Sequence, residues 1–105
     1  KLNQLERLDL RGNQLTELPK GLEKLDQLTM LGLAENQLTD VKGLEKLNQL
    51  TWLELNGNQL TDVTGLEKLT RLTNMFLENN PDLTEAQIEE LQKALPNCDI
   101  LHDFD

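Results

Sequence analysis

Tyrosine is absent from this 105-residue chain, and Trp52, Phe76 and Phe104 are its only aromatic residues. One cysteine and one histidine, Cys98 and His102, leave no disulfide framework and no ordinary zinc site. A lone cysteine leans toward a cytoplasmic or bacterial setting. The longest apolar run is Met75 to Leu77, too short for a membrane span or for the apolar stretch of a signal peptide. Lysine and arginine total 10 against 19 acidic residues, a formal charge of -9. That balance argues against nucleic acid and against an anionic membrane as partner.

What the chain has instead is leucine. Of 39 hydrophobic residues 26 are leucine, against two valines and two isoleucines, so an ordinary mixed core is excluded and a periodic placement is implied. The period is visible by self-comparison. Residues 5–27 read LERLDLRGNQLTELPKGLEKLDQ, 28–49 read LTMLGLAENQLTDVKGLEKLNQ, and 50–71 read LTWLELNGNQLTDVTGLEKLTR. The first spacing is 23 residues, Pro19 being the extra one, and the next is 22. A fourth copy opens at Leu72 as LTNMFLENN and departs at Pro81. Lys1 to Gln4 align with the end of a unit, so the chain begins inside a repeat.

The pattern L-x-x-L-x-L-x-x-N-x-L resembles the leucine-rich repeat family, and the 22-residue copies are most similar to its bacterial, internalin-like class. The resemblance covers nearly the whole chain. It implies an α/β solenoid: an arc with a concave parallel sheet, tight convex arms and a carboxy-terminal capping helix. The LPKGL segment of the first copy departs toward longer repeats, and the family's amino-terminal cap is missing. On this reading residues 1–105 form one domain, with a partial repeat at 1–4, full repeats at 5–27, 28–49 and 50–71, a last partial repeat at 72–83 and a cap at 84–105.

Elementary geometry leads to the same unit. In Leu8-Asp9-Leu10, Leu31-Gly32-Leu33 and Leu53-Glu54-Leu55 a period of two sends leucines inward and the middle residue outward. Asn13, Asn36, Asn58 and Asn80 follow at a fixed offset, where the chain leaves the strand and its backbone groups lose ladder partners. A stacked inward asparagine can serve both donors and acceptors there. Leu22, Leu25 and Leu28, with their equivalents, recur every three residues, which suits a tight return arm. Gly21, Gly43 and Gly65 precede the arms, where a positive φ is expected. Thr84 to Gln87 fits a capping box, with Ile88, Leu91 and Leu95 on one apolar face before Pro96 and Asn97. Cys98, Ile100 and Phe104 then continue the alternation as a closing strand.

Little here suggests chemistry. Cys98 has His102 four residues on and Asp103 beside it, but a nucleophile needs a positioned base and an oxyanion site, and a small buried hydrophobe is the plainer reading. Asp99, His102 and Asp103 on a chain end lack the rigidity of a metal site. The Glu-Lys pairs at 23–24, 45–46 and 67–68 read as a solvated convex face. No catalytic, cofactor or metal residues are assigned.

The informative signal lies where the copies disagree. The second and third units share 15 of 22 positions, and four of the seven differences fall at the outward strand positions and the residue after them. The outward residues are Arg7, Asp9 and Arg11; Met30, Gly32 and Ala34; Trp52, Glu54 and Asn56; and Asn74, Phe76 and Glu78. Neutral drift at exposed positions is the competing reading, and the gathering of Met30, Trp52 and Phe76 into one patch weighs against it; a structural alternative is that these side chains merely pack on one another or on a neighbouring domain. Gly32 and Ala34 should leave a dip beside them. An apolar patch with a polar rim is an interface signature. Four strands give a face only roughly 19 Å wide, so tight binding needs further repeats, edge contacts or a protruding loop.

The leading reading is therefore a non-catalytic module that recognises a protein or peptide on the concave face. A structural role competes with it: stacking through the open amino-terminal end, where Leu2, Leu5, Leu8 and Leu10 lie near an unpaired edge, or use as a designed scaffold. Such repeats also occur joined to catalytic domains, and no enzyme is read in this chain.

Overall fold

The computed structural model describes residues 4–104. Each copy contributes one three-residue strand: β1 Arg7–Asp9, β2 Met30–Gly32, β3 Trp52–Glu54 and β4 Asn74–Phe76, and β5 Asp99–Leu101 follows from the carboxy-terminal segment. The five are parallel and lie in sequence order. Leu8, Leu31, Leu53, Met75 and Ile100 form one row across the sheet. A one-residue slip would turn that row to solvent, so the alternation fixes the register.

The strand leucines point into a single continuous core. Leu31, Leu33, Leu53 and Leu55 are fully buried, whereas Leu8 and Leu10 in the first coil are half-buried. Burying one such side chain is worth about 1.5 to 3 kcal/mol, and a leucine reaches full burial here only between two neighbouring coils. Stability is therefore a property of the stack. Leu5 is half-buried and packs on the core. Leu2 lies outside the described residues.

After each strand the backbone turns through the left-handed region at one repeating position, Gly12, Glu35, Gly57 and Asn79, with φ of 69°, 59°, 72° and 58°. The asparagine that follows then stitches coils together. Asn36 Nδ2 donates to Leu33 O at 3.0 Å and, in the preceding coil, to Leu10 O at 3.1 Å, while its Oδ1 accepts from the Asn13 and Leu15 amides. Asn58 and Asn80 repeat the arrangement with Leu33 and Leu55 of the coils before them, and all three are buried. Asn13 departs from the expected ladder. Its side chain is exposed and bonds only its own coil, through Leu10 O and Arg11 O, because no described coil covers it.

The return arms are single 3₁₀ turns at Leu22–Lys24, Leu44–Lys46 and Leu66–Lys68. Gly21, Gly43 and Gly65 open them at φ of 89°, 100° and 107°, a conformation a side chain would disfavour. The Glu-Lys pairs are not wholly idle on this face. Glu45 and Glu67 each accept the amide of the preceding glycine, at 3.0 and 2.9 Å.

The helix α1, Glu85–Ala94, starts with the expected box: the Thr84 hydroxyl accepts from the Gln87 amide and the Gln87 side chain accepts from the Thr84 amide. Gln87 also donates to Thr61 O at 3.0 Å, tying α1 to the coil before it. Ile88, Leu91 and Leu95 are buried over the end of the core, as are Cys98 and Ile100. Gln92 donates to both Leu95 O and Cys98 O, which holds the helix end against β5. Phe104 is half-buried beyond the strand, its amide donating to His102 Nδ1. No helix among the described residues is long and apolar enough to cross a membrane.

A candidate recognition face

The sheet presents its outward residues on the concave side of a flattened arc with extents of 42 × 29 × 17 Å. Arg7, Asp9, Met30, Gly32, Trp52, Glu54, Asn74 and Phe76 flank the buried row in the strands, and Arg11, Ala34, Asn56 and Glu78 follow two residues past the strand ends. Arg7, Asp9 and Arg11 are exposed, and Met30, Trp52, Glu54, Asn56, Asn74, Phe76 and Glu78 are half-buried. Gly32 and Ala34 are buried, having no side chain long enough to rise between their neighbours.

Register decides which of these meet. Met30 pairs laterally with Trp52, and Glu54 with Phe76. Trp52 and Phe76 are diagonal neighbours whose ring centroids lie 5.1 Å apart at an interplanar angle of 48°, a tilted contact of the kind aromatic pairs favour. The Trp52 indole N–H donates to Glu54 Oε2 at 2.9 Å. The aromatic pair is thus braced by its own strand before any partner arrives. Consequently these outward residues are less idle in the free protein than ordinary surface positions.

Beside the pair, Gly32 forms the floor of a depression of about 280 Å³ walled by Arg7, Asp9, Arg11, Met30 and Glu54. A Cβ at Gly32 would stand 3.3 Å from Asp9 Oδ1 and 3.4 Å from Arg11 Cγ. Arg11 grips Asp9 through two side-chain hydrogen bonds of 2.8 Å, and its Nη1 lies 3.9 Å from Glu54 Oε1 across the dip. The guanidinium holds the Asp9 carboxyl below its ordinary value, and Asp9 raises Arg11 in turn. A larger depression, about 560 Å³, lies on the opposite side between an arm and α1, bordered by Asp62, Glu67, Glu90 and Lys93, away from the diversified strand positions.

Two features of this face exceed the sequence reading. The expected closing strand pairs as β5 and adds Asp99 and Leu101 to a face that had been counted from four strands. Leu101 pairs laterally with Phe76 and is half-buried, extending the apolar patch. The alternation Cys98-x-Ile100 carried that signal, since residues between inward positions must face out. Asp103 then takes over a backbone role: the Asn79 amide donates to its Oδ2 at 2.7 Å, where Gly12, Glu35 and Gly57 donate to a backbone carbonyl of the next coil.

The residues weighed for chemistry are not arranged for it. Cys98 is buried, and desolvation, with Asp99 adding to it, pushes its thiol up to about 11. Asp99, His102 and Asp103 do not form a metal-holding group, and no such group of three occurs among the described residues.

The repeated coil is matched by the model for Leucine Rich repeats (2 copies) over residues 3–46. A leucine-rich repeat protein of Leptospira interrogans is similar over 95% of this chain, with 36% identity and a TM-score of 0.82. The chain is a leucine-rich repeat protein. Within the family it is of the bacterial, internalin-like class: internalin C2 of Listeria monocytogenes matches 95% of it at 28% identity and a TM-score of 0.81. The functional domain of InlJ from Listeria monocytogenes matches 95% at 30% identity and 0.77. This leucine-rich repeat chain spans 25%, 42% and 20% of those three chains. No curated protein matches it significantly. Leucine-rich repeat proteins of this class are, in general, protein-interaction modules and not enzymes.

Proposed function

We propose that the chain recognises a protein or peptide through its concave sheet, with Met30, Trp52 and Phe76 as apolar anchors. Arg7, Asp9, Arg11, Glu54, Asn56, Asn74 and Glu78 supply the polar rim, and Gly32 and Ala34 keep the floor low enough for a protruding side chain. The observation that carries this reading is the coincidence of two patterns. The positions that vary between otherwise near-identical coils are the same positions that assemble a half-exposed aromatic pair beside a dip. Leu101 belongs to the same surface.

Trp52 gives the test a built-in reporter, because it is the only tryptophan and the chain has no tyrosine. Titrating a partner should shift the single indole N–H resonance together with those of Met30 and Phe76. Shifts confined to the arms and α1 would move the site to the convex side.

A second reading has its own observation. Leu5, Leu8, Leu10, Leu15, Leu18 and Leu25 in the first coil are only partly buried, and β1 has an unpaired edge among the described residues. That end can stack on further repeats or on another copy. Sedimentation at rising concentration separates this from the concave reading: association through the first coil would persist in Trp52→Ala, and a strict monomer with a well-ordered first coil would count against self-association.

A further inference from the structure

The charge on the proposed recognition face is lopsided. From Trp52 onward its outward positions carry Glu54, Glu78 and Asp99, with Asp103 beside them and no lysine or arginine. Of the two arginines of the first coil on this face, Arg11 is held by Asp9 at 2.8 Å and reaches only to 3.9 Å from Glu54, and Arg7 lies two strands away from Trp52. Glu78 is the residue out of balance. Its Oε1 is closed off with no hydrogen-bond donor of the described residues, so on this half-buried side chain a partner meets the carboxylate through its other oxygen. A buried carboxylate oxygen without a donor is costly, because desolvation is not offset by a bond. Phe76, the last residue of β4, precedes Glu78 by two residues, about 6.6 Å for extended chain, and Trp52 packs against Phe76.

Aromatic faces attract cations, and a planar guanidinium can both stack on a ring and direct N–H groups at a carboxylate. We propose that the partner is a protein segment carrying an arginine among apolar residues, the guanidinium lying over the Trp52–Phe76 pair and donating to Glu78, with the apolar flanks on Met30 and Leu101. This assignment rests on the concave face being the binding face. It names the chemistry that face selects: a cationic and apolar loop, complementary to an acidic rim and an aromatic floor.

The test is selection of random heptapeptides displayed on phage against the 105-residue chain, followed by titration of the enriched peptides with Trp52 fluorescence. Arginine flanked by apolar residues should dominate. Glu78→Gln, an isosteric change that leaves the fold in place, should weaken such a peptide at least tenfold. Replacing the peptide arginine with neutral citrulline should do the same, and the two losses should not add. Peptides that bind through Trp52 but carry no arginine would overturn this assignment while leaving the concave face standing. So would arginine peptides indifferent to Glu78→Gln. Peptides indifferent to Trp52→Ala, or no enrichment at all, would overturn the assignment, and peptides bound elsewhere would take the concave reading with it.

Discussion

The carboxylate of Glu35 lies over Gly57, in the space where a Cβ on Gly57 would stand. The two residues occupy the same position in successive coils, and both adopt a positive φ, 59° for Glu35 and 72° for Gly57. Only one of them is a glycine. A side chain held in the left-handed region costs roughly 1 to 2 kcal/mol. Glu35→Gly should therefore raise stability by about 1 kcal/mol, less whatever backbone freedom the unfolded chain gains. Urea denaturation should show a higher midpoint at unchanged slope. A lower midpoint would mean that the Glu35 side chain holds the turn.

The asparagine ladder gives a graded expectation. Asn58→Ala strips the donor from Leu33 O and Leu55 O and the acceptor from the Leu38 amide, all in buried surroundings, and should cost about 1 to 3 kcal/mol. Asn36→Ala should cost a similar amount. Asn13→Ala, at an exposed turn bonded to its own coil, should stay within about 0.5 kcal/mol. Equal losses at Asn13 and Asn58 in chemical denaturation would show that burial is not what gives the ladder its strength.

The carboxy-terminal cap closes both the core and the sheet. Truncation after Asn80 removes α1 and β5, baring the far side of Met75 and Leu77 and leaving β4 as an open parallel edge. The truncated chain should bind a dye for exposed apolar surface and lose its cooperative melt. A soluble fragment with a sharp melting transition would show that the cap is dispensable.

Cys98 reports on the same region. Its folded thiol value, about 11, lies above the ordinary 9.0, so the folded state binds the proton more tightly than the unfolded chain does. The associated stability is complete below pH 9.0 and is lost as pH rises from there toward 11. At pH 8 a thiol-specific disulfide reagent should modify the native protein slowly, with the rate rising as denaturant opens the cap. Immediate native modification would contradict the buried placement.

Most of the frame could be read from residue spacing because every element of it is local and repeated. Leu31-Gly32-Leu33 announces a strand, Asn36 its exit and Gly43 the arm, and three copies confirm one another. What escaped that reading depends on neighbours the spacing does not name. Asn13 has the ladder sequence but no described coil over it, so it stays exposed. Leu101 joins the face only because β5 pairs with β4, after the repeat has already broken at Pro81. The Trp52 bond to Glu54 and the buried oxygen of Glu78 are side-chain outcomes of packing between strands. The outward set itself was readable, since period two and the difference between copies both mark it.

The anchors bring a consequence for testing. Trp52 and Phe76 touch each other, and a contact of that kind is worth about 0.5 to 1.5 kcal/mol, so removing both should lower stability measurably without unfolding the stack. A thermal melt on each variant separates that effect from binding.

The most direct measurement is the affinity of a natural partner for two double variants compared side by side. Each large apolar side chain buried on binding contributes roughly 1.5 to 3 kcal/mol. Trp52→Ala with Phe76→Ala, still folded by its melt, should abolish capture, while Lys46→Ala with Lys68→Ala on the convex arms should leave it intact. Retention of the partner by the concave pair, with loss in the convex pair, would show that the recognition face lies on the other side of the arc.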